Sequence, residues 1–168
     1  MELFASMGLH RPERVYQQYP HELSGGMIQR VLIAMAVSCD PELLIADEAT
    51  TALDVTIQAE VLDLLKKLQA ERRLSILAVS HDLATIAELC DRVLVFYGGE
   101  LVEAGPTQQV LGSPAHPYTE ALLRVASVGN WERRELEVIP GNPPPVGSRH
   151  TGCGFAARCA LAVERCTE

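Results

Sequence analysis

Apolar positions along this chain fall into two alternating periods, and the alternation sets the expected order of elements. After the turn signal Ser24-Gly25-Gly26, the residues Met27, Ile28, Val31, Leu32 and Met35 recur at the spacing of one helix face. Ser24 is a good N-cap and Asp40-Pro41 is a stop, so a helix to about Ser38 is expected. Leu43 to Ala46 is a short unbroken apolar run, the mark of a strand buried on both faces of a parallel sheet. Val61, Leu62, Leu64, Leu65 and Leu68 predict a second helix, closed by Arg72-Arg73, whose charge suits a helix C-terminus. Leu74 to Val79 predicts another buried strand with Ser80-His81 at its end. A helix through Leu83, Ile86, Ala87 and Leu89 follows.

Arg92 to Tyr97 and Glu100 to Glu103 flank Gly98-Gly99, a strong hairpin signal. Upstream, Met1 to Tyr19 reads as helix and loop, broken by Pro20. Beyond Gly105-Pro106 the character changes. Thr107 to Leu111 and Tyr118 to Val125 predict two short helices. Asn142-Pro143-Pro144-Pro145 predicts a stiff extended linker. Alternating strands and helices predict an α/β fold with a mostly parallel sheet. Ligands of such sheets bind beyond the carboxyl ends of the strands, where Asp47-Glu48 and His81 fall.

The chain is long enough for a domain with its own core, and its 48% hydrophobic content argues against disorder. The longest apolar stretch, Val31 to Val37, is far short of the roughly 20 residues that span a bilayer. The start, Met1-Glu2-Leu3-Phe4, has no basic n-region, so a cytosolic setting is expected. A net charge of -8 makes phosphate neutralisation on nucleic acid a poor fit. Membrane association is expected through a protein partner, because a polybasic patch is lacking.

Candidate chemistry concentrates at turns and strand ends. Ser24-Gly25-Gly26 at a helix N-terminus offers backbone N–H groups to an anion, and equally reads as a plain N-cap. Asp47-Glu48 suits a hard cation and an attacking water; a solvated pair of carboxylates is the plain alternative. His81 can donate to a phosphate, although a lone His is often structural. Asp54 is a candidate cap for the next helix. His21, Thr50 and Thr51 gain no role from chemistry alone. Cys39 and Cys90 are expected as reduced core residues. Cys153, Cys159 and Cys166 crowd the last residues, which in a cytosolic protein favours metal or cluster ligation over disulfides.

Leu23-Ser24-Gly25-Gly26-Met27-Ile28-Gln29-Arg30, followed by Leu43-Leu44-Ile45-Ala46-Asp47-Glu48, resembles the signature motif and Walker B strand of an ATP-binding-cassette (ABC) ATPase. Tyr19-Pro20-His21-Glu22, the string from Thr50 to Thr56, and His116-Pro117-Tyr118-Thr119 resemble the dipeptide/oligopeptide importer branch, as does Ile139-Pro140-Gly141 leading into Gly152-Cys153. The resemblance implies an ATP-hydrolysing subunit that energises peptide import. ATP and Mg²⁺ would be its cofactors. Its partners would be a second ATPase subunit in a head-to-tail dimer and membrane permease subunits, with a peptide-binding protein further out. No nucleic acid is implied. Its place would be the cytoplasmic side of the cell membrane.

By resemblance, Ser24, Gly25, Gly26 and Gln29 face the partner's ATP. Asp47 holds Mg²⁺, Glu48 is the general base, Asp54 is the D-loop aspartate and His81 the switch histidine. Residues 1–106 would be the C-terminal part of the nucleotide-binding domain, and 107–168 the transporter C-terminal region. In that branch the tail cysteines can hold an iron–sulfur cluster; Cys153, Cys159 and Cys166 match three ligands, where a [4Fe–4S] cluster takes four. Zinc with His150 is an alternative ligand set. Ala49 stands where the family usually has Pro, and Ile28 where it often has a basic residue. A G-x-x-x-x-G-K-[ST] phosphate loop does not occur in the sequence. An ATPase-dead module that completes a partner's site, or a non-functional truncated product, is therefore the alternative to an active enzyme.

Overall fold

A computed structural model describes residues 1–51, 53–126, 138–145, 147 and 151–168. The chain forms two units, Met1–His81 and Asp82–Glu168.

The first unit opens with two short helices, α1 (Glu2–Ser6) and α2 (Pro12–Tyr16). A single 3-10 turn, Pro20–Glu22, leads to α3 (Gly25–Val37), β1 (Leu43–Asp47), α4 (Val55–Arg72) and β2 (Ser75–Val79). β1 and β2 pair in parallel from Leu43↔Ser75 to Asp47↔Val79. Parallel neighbours cannot be joined by a tight turn, and α4 supplies the crossover.

The predicted face of α4 is the buried one: Val61, Leu62, Leu64, Leu65 and Leu68. The predicted face of α3 is not. Leu32 and Met35 are exposed, and the helix buries Gly26, Ile33, Ala34 and Val37 instead. A run as apolar as Val31 to Val37 fits several helix faces, so periodicity alone could not choose among them.

Arginines fasten this unit. Arg30 donates to the Met7 carbonyl at 2.6 Å and pairs with Glu60 at 2.8 Å, tying the first loop to α3 and α4. Arg72 donates to the Val37 carbonyl at 3.2 Å and pairs with Asp40 at 2.8 Å, closing the end of α3.

The strands depart from expectation. Leu44 and Ala46 are buried, but Leu43 and Ile45 on the other face of β1 are exposed, as are Leu77 and Val79 on β2. One face of this parallel pair is therefore open. Cys39, expected in the core, is exposed just past the C-cap of α3, and Cys90 is half-buried. Burial and the neighbouring Asp91 push the Cys90 thiol up.

The second unit runs α5 (Leu83–Leu89), β3 (Arg92–Tyr97), β4 (Glu100–Pro106), α6 (Thr107–Gly112) and α7 (Pro117–Ala126), ending in two 3-10 turns. β3 and β4 form the predicted hairpin, with Gly98 and Gly99 both at positive φ, as a tight primed turn requires. β3 alternates cleanly, burying Val93, Val95 and Tyr97. A bulge at Val95/Phe96 inserts Val102 and sets up Glu103. Its carboxylate accepts the N–H groups of Ala115 at 2.8 Å and His116 at 3.0 Å, just before α7. Partial burial pushes the Glu103 carboxyl up, but those donors outweigh it and hold the group below the usual carboxylate range.

Phe155, 2% exposed, binds the tail to the hairpin. Its ring meets Tyr97 edge-on at 5.1 Å and Tyr118 at 5.4 Å. Arg158 lies over Tyr97 and donates to the carbonyls of Ile139 and Pro140, both at 2.7 Å. The segment Asn142 to Pro145, expected as a stiff extended linker, has no regular secondary structure.

Two outcomes test this unit. Phe155→Ala is expected to cost about 3–5 kcal/mol and to open the tail to limited proteolysis. Glu103→Gln is expected to lower the melting temperature at pH 7. Because the folded carboxyl is depressed, its contribution exists above an unfolded pKa of about 4.3 and fades as pH falls through the folded value. The gap between wild type and variant in thermal melts should therefore begin to narrow as pH falls below about 4.3 and close once it has passed the folded value.

Candidate functional site

All the site residues expected from the sequence, apart from the tail cysteines, lie in the first unit. The structure gathers them into two groups. The first is at the carboxyl ends of β1 and β2. The ladder continues one residue past β1, where the Glu48 N–H donates to the Val79 carbonyl at 2.9 Å. Glu48 then turns at φ 50, in the left-handed region. Its carboxylate accepts the Thr51 hydroxyl on Oε2, and Oε1 lies 2.8 Å from Nδ1 of His81. A carboxylate only accepts, so Nδ1 carries the proton and a neutral ring keeps its lone pair on Nε2. The Thr51 hydroxyl and the His81 imidazole hold the Glu48 carboxyl below the usual range. Asp47 is exposed beside it.

Chemically, this is an ionised, oriented carboxylate next to a second carboxylate. Oxygen donors of this kind suit Mg²⁺, which keeps several waters and takes one or two carboxylates plus phosphate oxygens. Two carboxylates alone do not make a closed cage, and the described residues contain no group of three or more His, Cys, Asp or Glu placed to hold a metal ion.

The second group is the turn into α3 and the start of α4. The Ser24 Oγ accepts the Met27 N–H at 3.4 Å as the predicted N-cap. Asp54 Oδ1 accepts the Ile57 N–H at 3.0 Å and caps α4. The two helix starts touch through the glycines. A Cβ on Gly26 would lie 2.6 Å from Cγ2 of Ile57, whereas one on Gly25 would meet Leu53 at an ordinary 3.5 Å. Gly26 thus has a packing role that chemistry at the turn does not reveal. Gln29 is half-buried one turn further along α3.

Thr51 is the residue that sequence reasoning missed. The available signal was its spacing: three residues beyond Glu48, its N–H also donates to the Glu48 carbonyl at 3.0 Å, a turn that carries the hydroxyl back to the carboxylate.

The tail cysteines do not assemble as a ligand set among the described residues. Cys153 Sγ lies 3.8 Å from Nε2 of His116. Cys159 Sγ accepts the Leu161 N–H at 3.4 Å, and the Cys166 carbonyl accepts the Cys153 N–H at 2.8 Å. His150, the fourth ligand of the zinc alternative, lies outside the described residues.

A carboxylate–histidine pair thus stands at the ends of two parallel strands, and a Ser-Gly-Gly turn opens α3. Two family models match: ABC transporter over residues 2–51, and oligopeptide/dipeptide transporter, C-terminal region, over 102–166. A peptide import ATP-binding protein of Brucella ovis is 50% identical over 99% of the chain. The oligopeptide transport ATP-binding protein AppD of Bacillus subtilis is 48% identical, again over 99%, and the dipeptide transport ATP-binding protein DppD of Haemophilus influenzae 46% over the whole chain. A solved metal-chelate type ABC transporter in an inward-facing conformation shares the fold at TM-score 0.63 and 23% identity, over 74% of this chain and 46% of its own. The chain belongs to the ABC-transporter ATP-binding proteins of the oligopeptide/dipeptide branch. It spans about half the length, 51%, of the curated relatives it matches.

Two substitutions check the geometry. Gly26→Ala is expected to destabilise the first unit by about 1–3 kcal/mol, the usual cost of overpacking, and Gly25→Ala by much less, read as midpoints of urea unfolding. Thr51→Val is expected to raise the Glu48 pKa toward the free-carboxylate value, read by carboxyl-carbon NMR titration.

Proposed function

We propose that the chain supplies the water-orienting half of an ATP-hydrolysing site in a subunit that energises import of di- or oligopeptides. The observation that carries this reading is the 2.8 Å pairing of Glu48 with His81 at the strand ends. Glu48 accepts a proton of the attacking water and aims its oxygen. His81 fixes Glu48 through Nδ1, and in its imidazolium form Nε2–H would donate to the phosphate being transferred. Asp47 is the residue that would hold Mg²⁺, which would neutralise charge developing on the phosphate oxygens when it is bound. Ser24, Gly25 and Gly26 offer the N–H groups of the α3 start to ATP carried by the opposing subunit, with Gln29 behind them. Asp54 holds the start of α4 against that turn.

Residues 1–106 are the ATPase-derived part and 107–168 the region particular to peptide transporters. The partners are a second ATP-binding subunit, membrane permease subunits and, through them, a peptide-binding protein. The subunit sits at the cytoplasmic side of the membrane. No described helix is long and apolar enough to cross a membrane, so permease subunits are the proposed attachment. A cluster on Cys153, Cys159 and Cys166 forms no part of this reading.

The test places this chain in a Bacillus subtilis AppD chimera, in exchange for the stretch that it matches, together with the transporter's other subunits. Glu48→Gln is expected to leave ATP binding intact and to lower turnover about 100-fold or more, the scale of losing a general base. Unchanged turnover would overturn the role of Glu48.

A further inference from the structure

One guanidinium joins three segments of the first unit. Arg30 lies on α3, four residues past Gly26 and six past the cap Ser24. Its Nη1 donates to the Met7 carbonyl at 2.6 Å, and its Nη2 pairs with Oε2 of Glu60 on α4 at 2.8 Å. The arginine side chain is 17% exposed, against 52% for Glu60. Gly8, beside the accepting carbonyl, has φ +74, and a Cβ there would lie 2.8 Å from Nη1. A side chain at position 8 would therefore push the guanidinium off its partner.

Near the start of α3, Gly26 packs on Ile57 of α4. Contact between a glycine and a methyl group fixes a distance but leaves the helix able to tilt about it. Arg30 and Glu60 lie four and three residues further along the same two helices, which puts their pair on the same seam. Two points on a seam fix the tilt. The guanidinium is a rigid plane, so its bond to Met7 also fixes the direction from which Nη2 meets Glu60. Along the helix, Arg30 is about 6 Å from Gly26 and Ser24 is about 3 Å away on the other side. A drift of about 1 Å at Arg30 thus swings Ser24 by about 0.5 Å, which is the tolerance of groups that meet a reacting centre.

We propose that Arg30 is a positioning residue for ATP hydrolysis: through Glu60 and the Met7 carbonyl it sets the angle at which the Ser24–Gly26 turn meets the ATP of the opposing subunit. The inference rests on the reading above, in which that turn offers its N–H groups to ATP. Arg30 acts through the turn, because its guanidinium is directed to Met7 and Glu60.

The test has two arms. In this chain, Arg30→Met keeps the apolar stem and removes both bonds. Its amide NMR resonances of Gly25 and Gly26 are expected to shift more than those of Ala34 and Met35, which lie equally far from Arg30 along the helix. In the AppD chimera with the transporter's other subunits, Arg30→Met is expected to lower kcat about tenfold or more and to leave KM for ATP within about twofold. Arg30→Lys should recover part of the loss, since an ammonium does not reproduce the two-pronged fork. Glu60→Gln, at a half-exposed position, should lower kcat about threefold alone and add nothing to Arg30→Met. If Arg30→Met does not fold, Arg30→Lys and Glu60→Gln carry both arms.

Unmoved glycine resonances, a loss confined to KM, or a Glu60→Gln factor that adds in full to Arg30→Met would each overturn the proposal. So would a lower melting temperature with kcat intact, the result of a purely structural tie. Glu48→Gln in the same chimera reports on the catalytic reading by itself. If it leaves turnover unchanged while Arg30→Met slows hydrolysis, the role of Glu48 falls and that of Arg30 stands.

Discussion

Parallel pairing of β1 with β2 is the constraint from which the site follows. Two parallel strands put their carboxyl ends side by side, and the α4 crossover needed to join them returns the chain to the same edge. Glu48 and His81, thirty-three residues apart in sequence, become hydrogen-bonded neighbours for that reason alone. Had the strands run antiparallel in this register, the two side chains would lie at opposite ends of the pair, some five residues of strand apart. The same crossover brings Asp54 to the head of α4, where its cap fixes the turn in which Ile57 meets Gly26.

Much of this was legible because the relevant signals are local. The N-caps Ser24 and Asp54, the stripe of α4 and the Gly98-Gly99 hairpin depend on a few neighbouring residues, and the sequence pattern predicts each of them. What misled was coverage. Leu43 to Ala46 reads as a strand hidden on both sides, yet an apolar run reports only that a face is suited to burial, and a chain that spans half its relatives need not contain the layer that does the burying. The wrong face of α3 has a related cause: seven consecutive apolar residues carry no polar position to fix the phase.

The second unit hid its organising contacts for another reason. Glu103 reads as one more charge at the end of a strand, and a bulge, invisible in composition, sets the register at which it meets the N–H groups before α7. Phe155 and Arg158 lie in a stretch whose cysteines dominate any reading of its sequence. Its stability instead comes from aromatic packing against Tyr97 and Tyr118 and from an arginine that collects two backbone carbonyls. Thiols attract chemical interpretation, while the work of holding the tail falls to residues with no reactive group.

The left-handed backbone of Glu48 has a consequence for how this position can change. Arg11, Asp40 and Arg73 share that conformation in loops and at helix ends. At Glu48 it falls where the oriented carboxylate leaves the strand, and a non-glycine residue held there costs on the order of 1 kcal/mol. Folding alone would favour glycine or asparagine at position 48. Giving up this carboxylate would relieve the backbone but lose its bonds to Thr51 and His81, whereas a chain kept for hydrolysis must tolerate the strain. The residue found at that turn in any variant of this sequence thus records which of the two demands was the stronger.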